Sequence, residues 1–180
     1  RYDLRSRRIV SAEALVRWEE NGVFIPPLEF IPIAEESGLI VTLGEWVLEE
    51  ACRRARGWLD RGAAGLGISV NVSTVQLLQR DFCTLVEAVL ARTGLPPALL
   101  ELEITESVFV NNLEEIAGTL AYLDKAGVRF ALDDFGTGYS SLLYLKKLPI
   151  RVLKIDRSFV KDLESSEDSR VIIQTIISMA

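Results

Sequence analysis

The chain has 180 residues, 49% of them hydrophobic, so it can bury a substantial core, and its length suggests one domain. Its net charge is −6, from 20 basic and 26 acidic residues, with no basic block or interleaved aromatic run, so a partner such as duplex DNA or RNA is not expected. There is no histidine, which excludes Ser-His-Asp and Cys-His nucleophile systems, His-ligated zinc and imidazole acid–base chemistry.

From the N-terminus, residues 9–17 alternate as a strand does, with Ala12, Ala14 and Val16 on one face and Glu13, Leu15 and Arg17 on the other. Helical spacing follows over 27–36, with Gly38 placed to stop it, and over 43–59, followed by Gly62. Residues 67–71 make a second strand, in which Ile68 and Val70 oppose Ser69 and Asn71. A helix is predicted over 81–92, ending at Gly94. The third strand, 100–105, sets Leu102 and Ile104 against Glu101, Glu103 and Thr105. Amphipathic helical spacing returns over 113–125, up to Gly127. In the fourth strand, 129–133, Asp133 shares parity with Ala131 against Leu132. A short helix over 141–147 stops before Pro149. In the fifth strand, 151–155, Lys154 shares parity with Val152 against Leu153 and Ile155, and a last helix occupies 169–180.

Strand and helix thus alternate with a repeat of roughly thirty residues, as parallel βα units do. Strands of open doubly wound sheets are usually apolar on both faces. Here one face of each strand is polar or small near its C-terminal end, which suits a closed (β/α)8 TIM-like barrel with its chamber at that end. Five units are visible where about eight are typical, so the expected fold class is α/β, an incomplete barrel without its last part. Cys52 and Cys83 fall inside helical patterns far apart and suit buried positions in a reducing, cytoplasmic compartment. No run reaches the roughly 18 uninterrupted apolar residues of a spanning helix and no signal peptide opens the chain, so any membrane anchor would lie outside it.

Anionic oxygens converging in an interior repel one another unless a cation sits among them, so the polar strand faces predict a metal chamber. A site of carboxylate and amide oxygens favours Mg²⁺ or Mn²⁺, with Ca²⁺ less useful for catalysis. Each candidate also has a plainer role. Glu13 and Arg17, four apart, could form an ion pair; Asn71, before Ser73, could cap a helix. The glycine-rich turn after Asp133 and Asp134 could only cap the next helix, and Lys154 with Asp156 could be a surface ion pair. Their occurrence on consecutive strands favours the metal centre, because paired carboxylates at a strand end are a way to bridge two cations.

The stretch Glu13-Ala14-Leu15-Val16-Arg17-Trp18 resembles the signature of EAL domains, the cyclic di-GMP phosphodiesterases. The likeness continues through Phe30-Ile31-Pro32-Ile33-Ala34-Glu35, Ser69-Val70-Asn71-Val72-Ser73, Glu101-Leu102-Glu103-Ile104-Thr105-Glu106, residues 133–141 and Leu153-Lys154-Ile155-Asp156. The resemblance implies a (β/α)8 barrel that hydrolyses cyclic di-GMP to linear pGpG with Mg²⁺ or Mn²⁺, Ca²⁺ supporting binding without turnover. It further implies that Glu13, Asn71, Glu103 and Asp133 hold a first metal, with Asp133 bridging to a second ion also held by Asp134. Arg17 would contact a substrate phosphate, with Leu15 and Asp156 also at the substrate site. Lys154 would stand beside the attacking water, and Glu13 and Glu106 would be the further catalytic positions. Glu106 would do so by steadying the loop 135–140, which in this family couples metal binding to dimerisation.

The family's opening strand, with a ligand-reading glutamine, and its last strands, with a further glutamate and a glutamine-glycine loop, have no counterpart in the sequence. Residues 1–180 are therefore expected to be a partial EAL phosphodiesterase domain. The expected partners are cyclic di-GMP, a second copy of the chain, and fused sensory or GGDEF-type domains. The rival expectations are a catalytically inert cyclic di-GMP receptor and a structural dimerisation module that uses the helix at 141–147.

Overall fold

The structure, a computed structural model, describes residues 1–109, 112–136, 147–163 and 166–179. Its first two strands, β1 (Tyr2–Asp3) and β2 (Arg8–Ile9), form a small antiparallel hairpin. The chain then enters β3 (Ser11–Ala14) and leaves it for a second hairpin, β4 (Trp18–Glu20) with β5 (Val23–Ile25). The single strand expected over 9–17 is thus cut at both ends. At its start Ile9 pairs with Tyr2 in the first hairpin; at its end the cause lies at Asn21 and Gly22, whose φ values of 52° and 79° form the two-residue turn that Asn-Gly favours. That turn draws residues 18–25 into their own ribbon, so Leu15, Val16 and Arg17 become a connector instead of strand.

Four further parallel strands follow: β6 (Gly67–Asn71), β7 (Leu100–Thr105), β8 (Arg129–Phe135) and β9 (Ile150–Ile155). Their order in the sheet is β3-β6-β7-β8-β9, the order of the sequence. A doubly wound sheet reverses direction at a switch point; here each strand adds to the same side, as consecutive staves of a (β/α)8 barrel do. Among the described residues the barrel is incomplete, with five parallel staves.

Helices α1 (Pro27–Glu36) and α2 (Leu39–Asp60) are separated by Gly38, whose φ of 75° lets the chain turn sharply between them. The second helix begins four residues earlier than its apolar spacing predicts. The short α3 (Thr74–Leu77) is not predicted at all. Two amphipathic helices follow, α4 (Phe82–Thr93) and α5 (Leu113–Lys125), close to expectation. The chain continues through α6 (Arg157–Lys161) and α7 (Glu167–Met179). The helix expected at 141–147 lies, apart from Lys147, outside the described residues. None of the described helices is long and apolar enough to cross a membrane.

The core lies between the sheet and these helices. Leu100, Leu102 and Ile104 of β7 and Phe130 and Leu132 of β8 are completely buried, in one cluster with Val86 and Val89 of α4 and Ile116, Leu120 and Leu123 of α5. Cys52 belongs to the same cluster; burial pushes its thiol pKa up to about 12, and both cysteines are free. Replacing Leu102 with alanine should remove about 3 kcal/mol of stability and lower the melting temperature by about 6–12 °C. Thermal unfolding checks this; an unchanged midpoint would contradict the packing described.

Alternation turns the other face of β7 inward, so Glu101 and Glu103 are buried as well, each only 4% exposed. The deeper carboxylate is already satisfied. Glu101 accepts from the Arg1 guanidinium at 3.2 and 3.1 Å and from Ser69 Oγ at 2.9 Å. Glu103, one layer nearer the C-terminal mouth, has different company.

Candidate metal centre

Parallel register brings the polar ends of the strands to one place. Asn71 lies beside Glu103 and Asp133 beside Thr105, while β3 and β9 supply Glu13 and Lys154 from the two sides. The carboxylates of Glu13, Glu103 and Asp133 each put one oxygen within 4.8 Å of the others. Asn71 Nδ2 donates to Glu13 Oε1 at 2.9 Å, so its Oδ1 is the atom left to a cation. Lys154 Nζ donates to Glu103 Oε2 and Asp133 Oδ2, both at 2.6 Å, and lies 3.6 Å from Glu13 Oε2. The expected convergence of Glu13, Asn71, Glu103, Asp133 and Lys154 is therefore what the strands produce.

Electrostatics explains what such a cluster needs. Three carboxylates against one ammonium leave two uncompensated negative charges. Burial raises the pKa of Glu103; the Lys154 hydrogen bond and charge oppose that, while Glu13 and Asp133 add to it. Desolvation works against the Lys154 ammonium, yet its hydrogen bonds to Asp133 and Glu103 outweigh it and carry its pKa above the ordinary lysine value. Oxygen donors from several staves with two excess negative charges fit a hard divalent cation such as Mg²⁺ or Mn²⁺.

At the end of β8 the backbone departs from simple alternation. The pairing with β9 shifts register between Leu132 and Phe135, and Asp134 has a φ of 53°, a left-handed conformation that aspartate tolerates better than most residues. This keeps Asp134 close to the charges of Asp133, Asp156 and Lys154. Desolvation raises its pKa first, then Asp133 and Asp156, the latter also through a hydrogen bond. Asp156 itself caps α6, accepting from the Ser158 backbone N–H at 2.8 Å, and its hydrogen bonds with Ser158 hold its pKa below the usual carboxylate range. Glu106 Oε2 accepts from the Gly136 backbone N–H at 3.1 Å, at the entrance to the glycine-rich turn. Residues 137–140, where the sequence predicts that turn to continue, lie outside the described residues.

The plainer roles fall out differently. Lys154 pairs with the buried Glu103 and the half-buried Asp133 and leaves Asp156 to its cap. Arg17 donates to the Val16 carbonyl at 3.0 Å and its guanidinium lies 6.0 Å from the centre of the Phe24 ring, the new hairpin having carried it away from the Glu13 strand face. Leu15 and Arg17 line a cavity of about 540 Å³ together with Asn71, Glu103 and Thr105, so they border the cluster without belonging to its strands. Ser73, not Asn71, caps α3: its Oγ accepts from the Gln76 N–H while the Gln76 side chain accepts from the Ser73 N–H. That capping box is a local signal, Ser-x-x-Gln, which chain-order expectations passed over.

The EAL domain model matches residues 1–180. The signaling protein YkoW of Bacillus subtilis is 42% identical over 179 residues, covering 99% of this chain and 22% of YkoW. The bifunctional diguanylate cyclase/cyclic di-GMP phosphodiesterase MucR of Pseudomonas aeruginosa is 45% identical over 173 residues, covering 95% of this chain and 25% of MucR. The chain therefore spans under a third of the length of either relative. A solved structure described as the PaMucR phosphodiesterase in complex with c-di-GMP superposes with a TM-score of 0.90 at 45% identity, over 94% of this chain and 69% of that one. With strand order, inward-facing acids and whole-length match in agreement, the chain belongs to the EAL domain family.

Proposed function

We propose that this chain is the catalytic part of a cyclic di-GMP phosphodiesterase, opening the cyclic dinucleotide to linear pGpG with Mg²⁺ or Mn²⁺. The observation that carries it is the meeting of Glu13, Asn71, Glu103, Asp133 and Lys154 at one mouth of the sheet. Relatives named for hydrolysis and a structure named for its cyclic di-GMP complex support the ligand class.

In this proposal Glu13, Asn71, Glu103 and Asp133 hold one divalent ion, and Asp133 with Asp134 reaches a second. Cations held there would supply Lewis-acid polarisation of the phosphate and lower the pKa of a bound water. The chain does the rest by placement. Arg17, at the rim of the cavity shared with Asn71 and Glu103, is within that wall to meet a phosphate oxygen, with Leu15 as its apolar neighbour. The Lys154 ammonium, seated between Glu103 and Asp133, orients the nucleophile by donating to it and stabilises the charge that develops on the phosphate. Without a bound ion, its hydrogen bonds to Asp133 and Glu103 keep it a charged donor. At the end of β8, Asp156 shares a hydrogen bond with Asp134, and Glu106 holds the Gly136 N–H. A cytoplasmic homodimer joined to sensory or GGDEF-type domains is the assembly that goes with this role.

The test is to supply cyclic di-GMP to the protein that carries this chain and separate the products. Mn²⁺ should yield pGpG and Ca²⁺ none. Tight nucleotide binding with no pGpG under any ion would replace the enzyme with an inert receptor.

A further inference from the structure

Helix α2 carries a glycine at position 44, in its second turn, where glycine costs about 1 kcal/mol relative to alanine. The geometry shows what offsets that cost. A Cβ on Gly44 would lie 1.8 Å from Gln76 Nε2 and 2.5 Å from Gln76 Cδ, so the Gln76 amide would have to leave its place. The space is filled by the Gln76 amide, which is 6% exposed and committed to Ser73: its Oε1 accepts from the Ser73 N–H at 3.1 Å. Between Ser73 and the cluster, the Val72 N–H donates to the Glu103 carbonyl at 2.9 Å. Residues 72 and 73 are thus held on one side by the backbone of a cluster residue and on the other by Gln76. Asn71 immediately precedes them.

We propose that Gln76, seated in the space left by Gly44, is a positioning residue for the metal centre, setting the strand end that presents Asn71. Resting on the metal-site reading above, it goes beyond it by naming Gly44 on α2 and Gln76 on α3, in the wall of the same cavity, as residues that act on the ion through Asn71. The physical reason is leverage. Asn71 has a short side chain whose Nδ2 must donate to Glu13 while its Oδ1 turns to the ion, so a small backbone shift breaks one contact or the other. Without the Gln76 amide the Ser73 N–H loses its partner, and the turn after Asn71 is held from one side only.

The experiment measures Mn²⁺ affinity by calorimetry on the intact protein, with Ser73 amide exchange in the metal-free state as a second readout. Gln76→Leu should weaken Mn²⁺ binding about tenfold or more and speed Ser73 exchange. Gly44→Ala, which pushes the amide off its site, should move both in the same direction. Gln76→Glu keeps the acceptor of the capping box, so Ser73 exchange should stay slow. In an Asn71→Ala background, Gln76→Leu should cost no further affinity, since the residue it positions is gone. Unchanged Mn²⁺ affinity in Gln76→Leu, or losses that add fully with Asn71→Ala, would overturn the inference, whatever the melting temperature does. Absence of Mn²⁺ binding by the unmodified protein is a different failure: it overturns the metal-site reading, and the inference with it.

Discussion

Lys154→Met is expected to tighten divalent-ion binding about tenfold or more while lowering turnover by about 10²–10⁴. The two effects have opposite signs because the proposed reaction gives Lys154 two parts. Without a bound ion, its ammonium is the cation among the carboxylates, donating to Glu103 and Asp133 at 2.6 Å each. An incoming ion must take those oxygens from it. At an effective dielectric near 20, two unit charges about 4 Å apart repel by about 4 kcal/mol, so even a fraction of that, removed with the ammonium, exceeds the ~1.4 kcal/mol of a tenfold change. Methionine preserves length and apolar volume, so the pocket keeps its shape. The same substitution takes away the donor that the proposed reaction directs at the phosphate, so turnover should fall.

Calorimetry with Mn²⁺ and product analysis under saturating Mn²⁺ separate the two parts. Weaker Mn²⁺ binding in Lys154→Met would mean that the lysine supports the ion instead of competing with it. Unchanged turnover would remove Lys154 from the chemistry. Melting in chelator adds a third expectation: with three carboxylates facing one another and no ammonium, the metal-free fold should lose stability, and Mn²⁺ should restore it.

The strand-by-strand polarity that leads to this lysine was legible because alternation is a local property. Asn71, Glu103, Asp133 and Lys154 each sit in a run whose apolar neighbours declare which face packs on helices, and the five staves follow the chain order. What alternation could not resolve was where a strand ends. Residues 9–17 alternate throughout, yet pairing stops at Ala14 because a hairpin turn at Asn21 and Gly22 competes for the following residues. Arg17 and Leu15 therefore border the cavity from a connector. The local departure at Asp134 was hidden for a similar reason: a left-handed residue and a register shift are set by the partner strand, which a one-dimensional period does not contain. The Gly44 and Gln76 contact joins two helices about thirty residues apart, and no spacing rule connects them.

Glu103→Gln should abolish Mn²⁺-dependent hydrolysis, by about 10³ or more, and yet leave the metal-free protein as stable as before or slightly more so. The side chain is 4% exposed, and burial with two neighbouring carboxylates penalises its charged form. Glutamine is nearly isosteric and can still accept from Lys154, which also keeps Asp133 at 2.6 Å, so no ammonium is orphaned. Removing one of three facing negative charges relieves repulsion that only a cation otherwise relieves. A gain of about 1 kcal/mol would appear as about 2–4 °C in chelator. In Mn²⁺ the order should reverse: the unmodified protein gains stability from the bound ion, whereas the variant, with a neutral amide in place of its most buried ligand, gains little. Melting curves with chelator and with Mn²⁺ decide the matter. A large loss in chelator would make Glu103 a packing residue, and an undiminished Mn²⁺ shift would show that the ion is held elsewhere. A reversal of order between the two conditions would mean that this carboxylate is kept at a cost to the fold, because the ion requires it.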